Sequence, residues 1–165
     1  MKGLIAARAI IARELARFVT QRERFFAALV RPLVWLFVFA AGFRAALGLS
    51  IIPPYKTYIS YETYIVPGLC GMILLFSGMQ SSLSLVNDRE SGTMRLMLTA
   101  PWPRWFLLGA KLLAGAMVGL LQVSVFLVIA WVYGLKFSVV GYLAALPALA
   151  LAGIMLGALG LFLSA

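Results

Sequence analysis

Four apolar stretches, at about 32–49, 64–86, 105–133 and 139–163, constrain this chain more than any other feature. Crossing the ~30 Å hydrocarbon of a bilayer takes about 20 predominantly apolar residues in a helix. A backbone surrounded by lipid must satisfy its own hydrogen bonds, which leaves helices or closed barrels. Runs this continuous read as helices, so the expected fold is all-α: a polytopic transmembrane helix bundle with four spans. Composition agrees, since 64% of the 165 residues are hydrophobic and 12% charged, against about 45–50% and about 25% in soluble domains.

The net charge of +9 is unevenly placed. Lys2, Arg8, Arg13, Arg17, Arg22, Arg24 and Arg31 precede the first span, and Arg89, Arg95, Arg104 and Lys111 lie in or beside the segment joining the second and third. Arg44, Lys56 and Lys136 are the remainder. Cytoplasmic loops carry the excess of Lys and Arg, so the N-terminus and the central segment are expected in the cytosol. This pattern gives orientation and argues against a nucleic-acid partner. The chain has no histidine, the commonest metal ligand and general base. Its single cysteine, Cys70, lies within a span, where it reads as a small buried apolar residue with no intrachain disulfide.

Residues 1–24 read as an interfacial amphipathic helix. Leu4, Ile11, Leu15 and Phe18 recur at helical spacing, with Lys2, Arg13, Arg17 and Arg24 opposite. Pro32 is placed at the start of the first span, where its missing N–H costs nothing. Arg44 is expected to snorkel from the outer end of that span. Residues 50–63 form an outer loop whose Tyr55, Tyr58 and Tyr61, with Tyr64, make an interfacial aromatic belt. In the second span Ser77, Gln80, Ser81 and Ser84 continue through Asn87 and Asp88 as one polar stripe. Polar groups do not face lipid tails unpartnered, so the stripe serves either as hydrogen-bonding glue between helices or as the border of a hydrated path. Lys111 is expected to snorkel toward the cytosolic headgroups. Gly115 with Gly119, and Gly153 with Gly157 and Gly160, form small faces suited to close helix packing.

Between the second and third spans, 87–104 changes character. Asp88, Arg89 and Glu90 lead into Ser91-Gly92-Thr93, a turn and helix-start cluster, and Pro101 and Pro103 stop the short helix begun there. Met94, Met97 and Leu98 would share one face of that helix and Arg95 the other. So short a helix persists only when packed on something. Methionines suit a face that docks into an irregular groove; a plain turn dipping its apolar face into lipid is the alternative.

The run Asp88-Arg89-Glu90-Ser91-Gly92-Thr93-Met94-Arg95-Leu96-Met97-Leu98-Thr99-Ala100-Pro101, with Arg104 and Gly109-Ala110-Lys111 after it, resembles the signature loop of ABC-2 type transporter permeases. Tyr64-Ile65-Val66-Pro67-Gly68-Leu69 resembles the start of their second span. The likeness looks closest to the branch of drug and lipo-oligosaccharide (nodulation-factor type) exporters. It implies a permease subunit in the bacterial inner membrane, moving a drug-like, lipid-linked or oligosaccharide substrate by alternating access. Such subunits pair as homo- or heterodimers and associate with ABC ATP-binding subunits. By the resemblance, Asp88, Arg89, Glu90, Gly92, Thr93, Met94, Arg95, Met97 and Leu98 couple to the ATPase, while Ser77, Gln80, Ser81 and Ser84 border the translocation path. The family has six spans, so four imply a single transmembrane domain, 1–165, truncated at its C-terminus. The uncharged ending Leu163-Ser164-Ala165 points the same way.

The sequence contains no Gly-x-x-x-x-Gly-Lys-Ser/Thr phosphate loop, so ATP and Mg are expected on a separate subunit, with no cofactor or metal in this chain. A membrane enzyme would need convergent acids, nucleophile and base. Five acidic residues and no histidine give it little to work with. A secondary carrier, a channel subunit and a non-transporting scaffold are the alternatives to an ATP-driven exporter.

Overall fold

In the computed structural model the described residues are 2–20, 22–39, 42, 61–93, 99, 103–135 and 138–163. They are helical apart from the turns and caps. Two shorter helices, α1 (Lys2–Thr20) and α2 (Arg22–Val34), precede three long ones: α3 (Tyr61–Glu90), α4 (Arg104–Val132) and α5 (Val139–Leu163). α2 runs directly into a π-helical turn, Trp35–Phe39. Within the long helices, Thr63–Glu90, Arg104–Val132 and Val140–Leu163 are each long and apolar enough to cross a bilayer. Phe26–Val38 is a shorter apolar helix.

The element boundaries refine the sequence expectations. α5 coincides with the fourth expected span. The first apolar helix starts earlier than 32, and Pro32 sits inside α2, buried, instead of opening it. The physical reason is packing: Leu29 and Leu36, one turn or so either side of Pro32, are also buried, so one face continues through the proline. α3 extends to Glu90, which makes Asn87, Asp88, Arg89 and Glu90 the last turn of a helix and not part of a loop. Arg44, Tyr55, Tyr58, Met94, Arg95, Met97 and Leu98 lie outside the described residues.

Glycine sets how closely the long helices approach. A Cβ on Gly78 of α3 would sit 2.9 Å from the carbonyl oxygen of Leu156 in α5. One on Gly119 of α4 would sit 3.0 Å from the Ser77 hydroxyl. Lipid tails are as apolar as leucine, so association in a membrane depends on such close contact rather than on a hydrophobic drive. Both small faces read from the sequence are used this way: Gly115 and Gly119 against the serines of α3, and Gly153, Gly157 and Gly160 against α3 and α4. The core they close around holds Leu36, Leu69, Ile73, Leu74, Val123, Phe126 and Ala130. The Arg31 guanidinium lies 4.1 Å from the Phe76 ring centre and pins α2 to α3. Away from these faces α5 presents Leu143, Leu151, Met155, Leu159 and Phe162 outward, as lipid contact requires.

Gly134, at φ +109°, ends α4. Its N–H donates to the Trp131 carbonyl at 3.0 Å and the Leu135 N–H to the Ala130 carbonyl at 3.1 Å, a Schellman cap. Leu135, 5% exposed, supplies the apolar contact that accompanies it.

Candidate functional site

Charge in the interior needs a partner, and here three helices bring their charges to one place. Lys111 lies seven residues into α4, about 10 Å along the axis, and is 3% exposed. Its ammonium donates to Oδ2 of Asp88, which is 1% exposed in the last turn of α3. From α1, Arg17 Nη1 donates to Oδ1 of Asp88 at 3.1 Å, and Arg13 lies 3.6 Å from Oδ2. Glu14 completes the cluster: its Oε1 is 4.0 Å from both the Lys111 ammonium and Arg17 Nη1, and 3.4 Å from Arg13. Three cations and two carboxylates thus tie α1, α3 and α4 together where α3 ends and α4 begins.

Lys111 is therefore not a snorkelling residue. Its ammonium ends on Asp88 of α3, with Glu14 of α1 4.0 Å away. The expected polar face of α1 is likewise divided. Arg13 and Arg17 turn toward Asp88 while their side chains remain 37% exposed.

The polar stripe continues from this cluster. Ser84 Oγ donates to Oε2 of Glu14 at 3.4 Å, and Ser77 Oγ to the Gly115 carbonyl at 3.5 Å. Gln80 and Ser81 lie between them on the wall of a cavity of about 60 Å³, which Glu14, Arg17, Phe18, Lys111, Gly115 and Val118 complete. That is room for a few water molecules. Ser77 and Ser84 line this cavity as well, so the same serines that bond neighbouring helices also face it. Farther along α4, Gln122 is fully buried, and neither amide atom has a hydrogen-bond partner among the described residues.

The sequence-derived loop residues divide at Asp88. Asp88 faces inward, whereas Arg89 and Glu90 are exposed. Gly92 adopts φ +71° and turns the chain out of α3; the Ser91 N–H bonds the Asn87 carbonyl at 2.9 Å and the Gly92 N–H the Arg89 carbonyl at 3.2 Å. The Thr93 hydroxyl shares a 2.9 Å hydrogen bond with that of Ser91. Glu14 is the member of the cluster that sequence reasoning missed. Its signal was there: the one carboxylate of α1, set between Arg13 and Arg17, opposite a span with a single lysine.

Comparison of the sequence with known proteins finds a matching family. The sequence model described as "ABC-2 type transporter" matches residues 6–165. The chain is also 30% identical over 86 residues to the probable multidrug ABC transporter permease YbhR of Escherichia coli K12, and equally to that of Escherichia coli O157:H7. The alignment takes in 51% of this chain and 23% of either relative, so the chain matches about a quarter of their length. No solved structure matches. Since the family match runs from α1 through α5 and includes both the ion cluster and the turn at Gly92, the chain belongs to the ABC-2 type transporter family.

Proposed function

We propose that this chain is part of the membrane-spanning permease of an ATP-driven exporter, working as one half of a homo- or heterodimer beside a separate ABC ATP-binding subunit. The observation that carries this is the division at Asp88. A buried aspartate, held by two hydrogen bonds and a further ion pair, anchors the end of α3, and the next residues, Arg89 and Glu90, project outward at the turn. A turn so anchored transmits a push to the helices instead of absorbing it. In this reading residues 89–98 dock on the ATP-binding subunit, which holds ATP and Mg. ATP binding there displaces the turn and shifts the helices between inward- and outward-open states, which a partner achieves by contacting one state better than the other. Ser77, Gln80, Ser81 and Ser84 border the path. The cargo is a drug-like, lipid-linked or oligosaccharide substrate, and the membrane is the bacterial inner membrane with the N-terminus in the cytosol.

The test reverses charge on the turn. With the ATP-binding subunit co-expressed, Glu90→Lys combined with Arg95→Glu is expected to abolish ATP-dependent export and weaken co-purification, while the chain still reaches the membrane. Unchanged export and co-purification would remove the coupling role.

A further inference from the structure

The ion cluster contains one more acceptor than a fixed tie requires. Lys111 is bonded to Asp88, yet Oε1 of Glu14 lies 4.0 Å from the same ammonium. Arg17 has the same pair of choices, at 3.1 Å from Asp88 and 4.0 Å from Glu14. The two carboxylates sit on different helices, Asp88 on α3 and Glu14 on α1. A slide of α3 by one helical turn, about 5.4 Å, takes Asp88 off Lys111 and leaves Glu14, at 4.0 Å, as the nearer acceptor. A buried ammonium is costly to leave bare, so the exchange has two discrete positions rather than a continuum. Asp88 lies four residues before Gly92, where the chain leaves the helix line. A pull on the turn therefore reaches Asp88 before any other buried group of α3.

The exchange has a structural consequence. The small cavity is walled by Glu14, Arg17 and Phe18 of α1 on one side and by Ser77, Gln80, Ser81 and Ser84 of α3 on the other. Among the described hydrogen bonds, α1 is joined to α3 by Arg17 to Asp88 and by Ser84 to Glu14, the latter long at 3.4 Å. Removing Asp88 from the cluster takes away the shorter of these two bonds.

We infer that Asp88, Glu14 and Lys111 form a two-position joint: displacement of the turn after α3 transfers Lys111 from Asp88 to Glu14, releases α3 from α1 and opens the serine-lined cavity. All three are positioning residues, and none has to touch cargo. The inference rests on the proposed coupling role of the turn for what drives it, and on the cluster geometry alone for what it does.

The experiment reads cavity access. In a Cys70→Ala chain carrying Gln80→Cys, a membrane-impermeant maleimide is applied from the turn side of sealed membrane vesicles. Asp88→Asn is expected to speed labelling about tenfold, and Asp88→Glu to stay near the parent rate, because a retained carboxylate still holds Lys111. Cys70, 4% exposed, reports on folding in the chain without other changes; it should stay unlabelled in Asp88→Asn. In the complex with the ATP-binding subunit, ATP should accelerate labelling of the parent and not of Glu14→Gln, which lacks the second seat. The joint falls if Asp88→Asn labels no faster than the parent, or if Asp88→Glu labels as fast as Asp88→Asn. Acceleration by ATP that survives Glu14→Gln overturns the exchange. If ATP changes nothing while the Asp88 series behaves as stated, the coupling role of the turn fails and the joint stands.

Discussion

At Asp88 two roles meet in one side chain: it closes the polar stripe of α3 and it accepts from cations on two other helices. The partners are not equivalent, and that gives a stability prediction. Asp88→Leu strands Lys111 in the interior with only Glu14, at 4.0 Å, nearby. Breaking a buried pair by removing one partner costs about 3–5 kcal/mol, and a loss of that size is expected in unfolding free energy measured in detergent. Lys111→Met should cost distinctly less, because Asp88 keeps Arg17 at 3.1 Å and Arg13 at 3.6 Å, both partly solvated. Equal losses would mean that Lys111 and the arginines contribute alike. Sequence alone pointed Lys111 toward the cytosolic headgroups. It did not reveal the partners, because Asp88 and Glu14 come from two other helices whose placement no local pattern gives.

Helix packing tracks the small residues. Gly78 and Gly68 lie in the same helix, but only Gly78 meets a neighbour: a Cβ there falls 2.9 Å from the Leu156 carbonyl oxygen, whereas at Gly68 nothing lies within 4 Å. Backbone cannot move aside as a side-chain tip can. Gly78→Ala is therefore expected to lower stability by about 1–3 kcal/mol, as overpacking does. Gly68→Ala should be neutral or slightly favourable through helix propensity. Thermal unfolding of the two variants in the same detergent checks the difference. The helices themselves are legible from apolar run length, and α5 matches its apolar run to the residue. The loop-side end of α3 is not legible, because Asn87 to Glu90 are polar and Ser91-Gly92 comes directly after them. Polarity in the last turn of a span looks like a loop when the charges that hold it are on other helices.

For the whole molecule, the ion cluster joins the N-terminal helix to the end of α3, just before the turn at Gly92, and the proposed orientation puts both on the cytosolic face, where Lys and Arg are in excess. A cysteine introduced at Ser91 should react in intact cells only with a reagent that crosses the membrane, and readily with an impermeant one in inside-out vesicles. Labelling of intact cells by the impermeant reagent would reverse the orientation and remove the turn from reach of any ATP-binding subunit. Length and hydropathy determined by themselves that the chain is a membrane helix bundle, since lipid offers the backbone no hydrogen bonds and only long apolar helices answer that here. Tertiary structure decided where Glu14, Asp88 and Lys111 end up. Ion pairing acts between residues 23, 71 and 97 positions apart, over distances set by how three helices pack, and no local pattern in the chain encodes those separations.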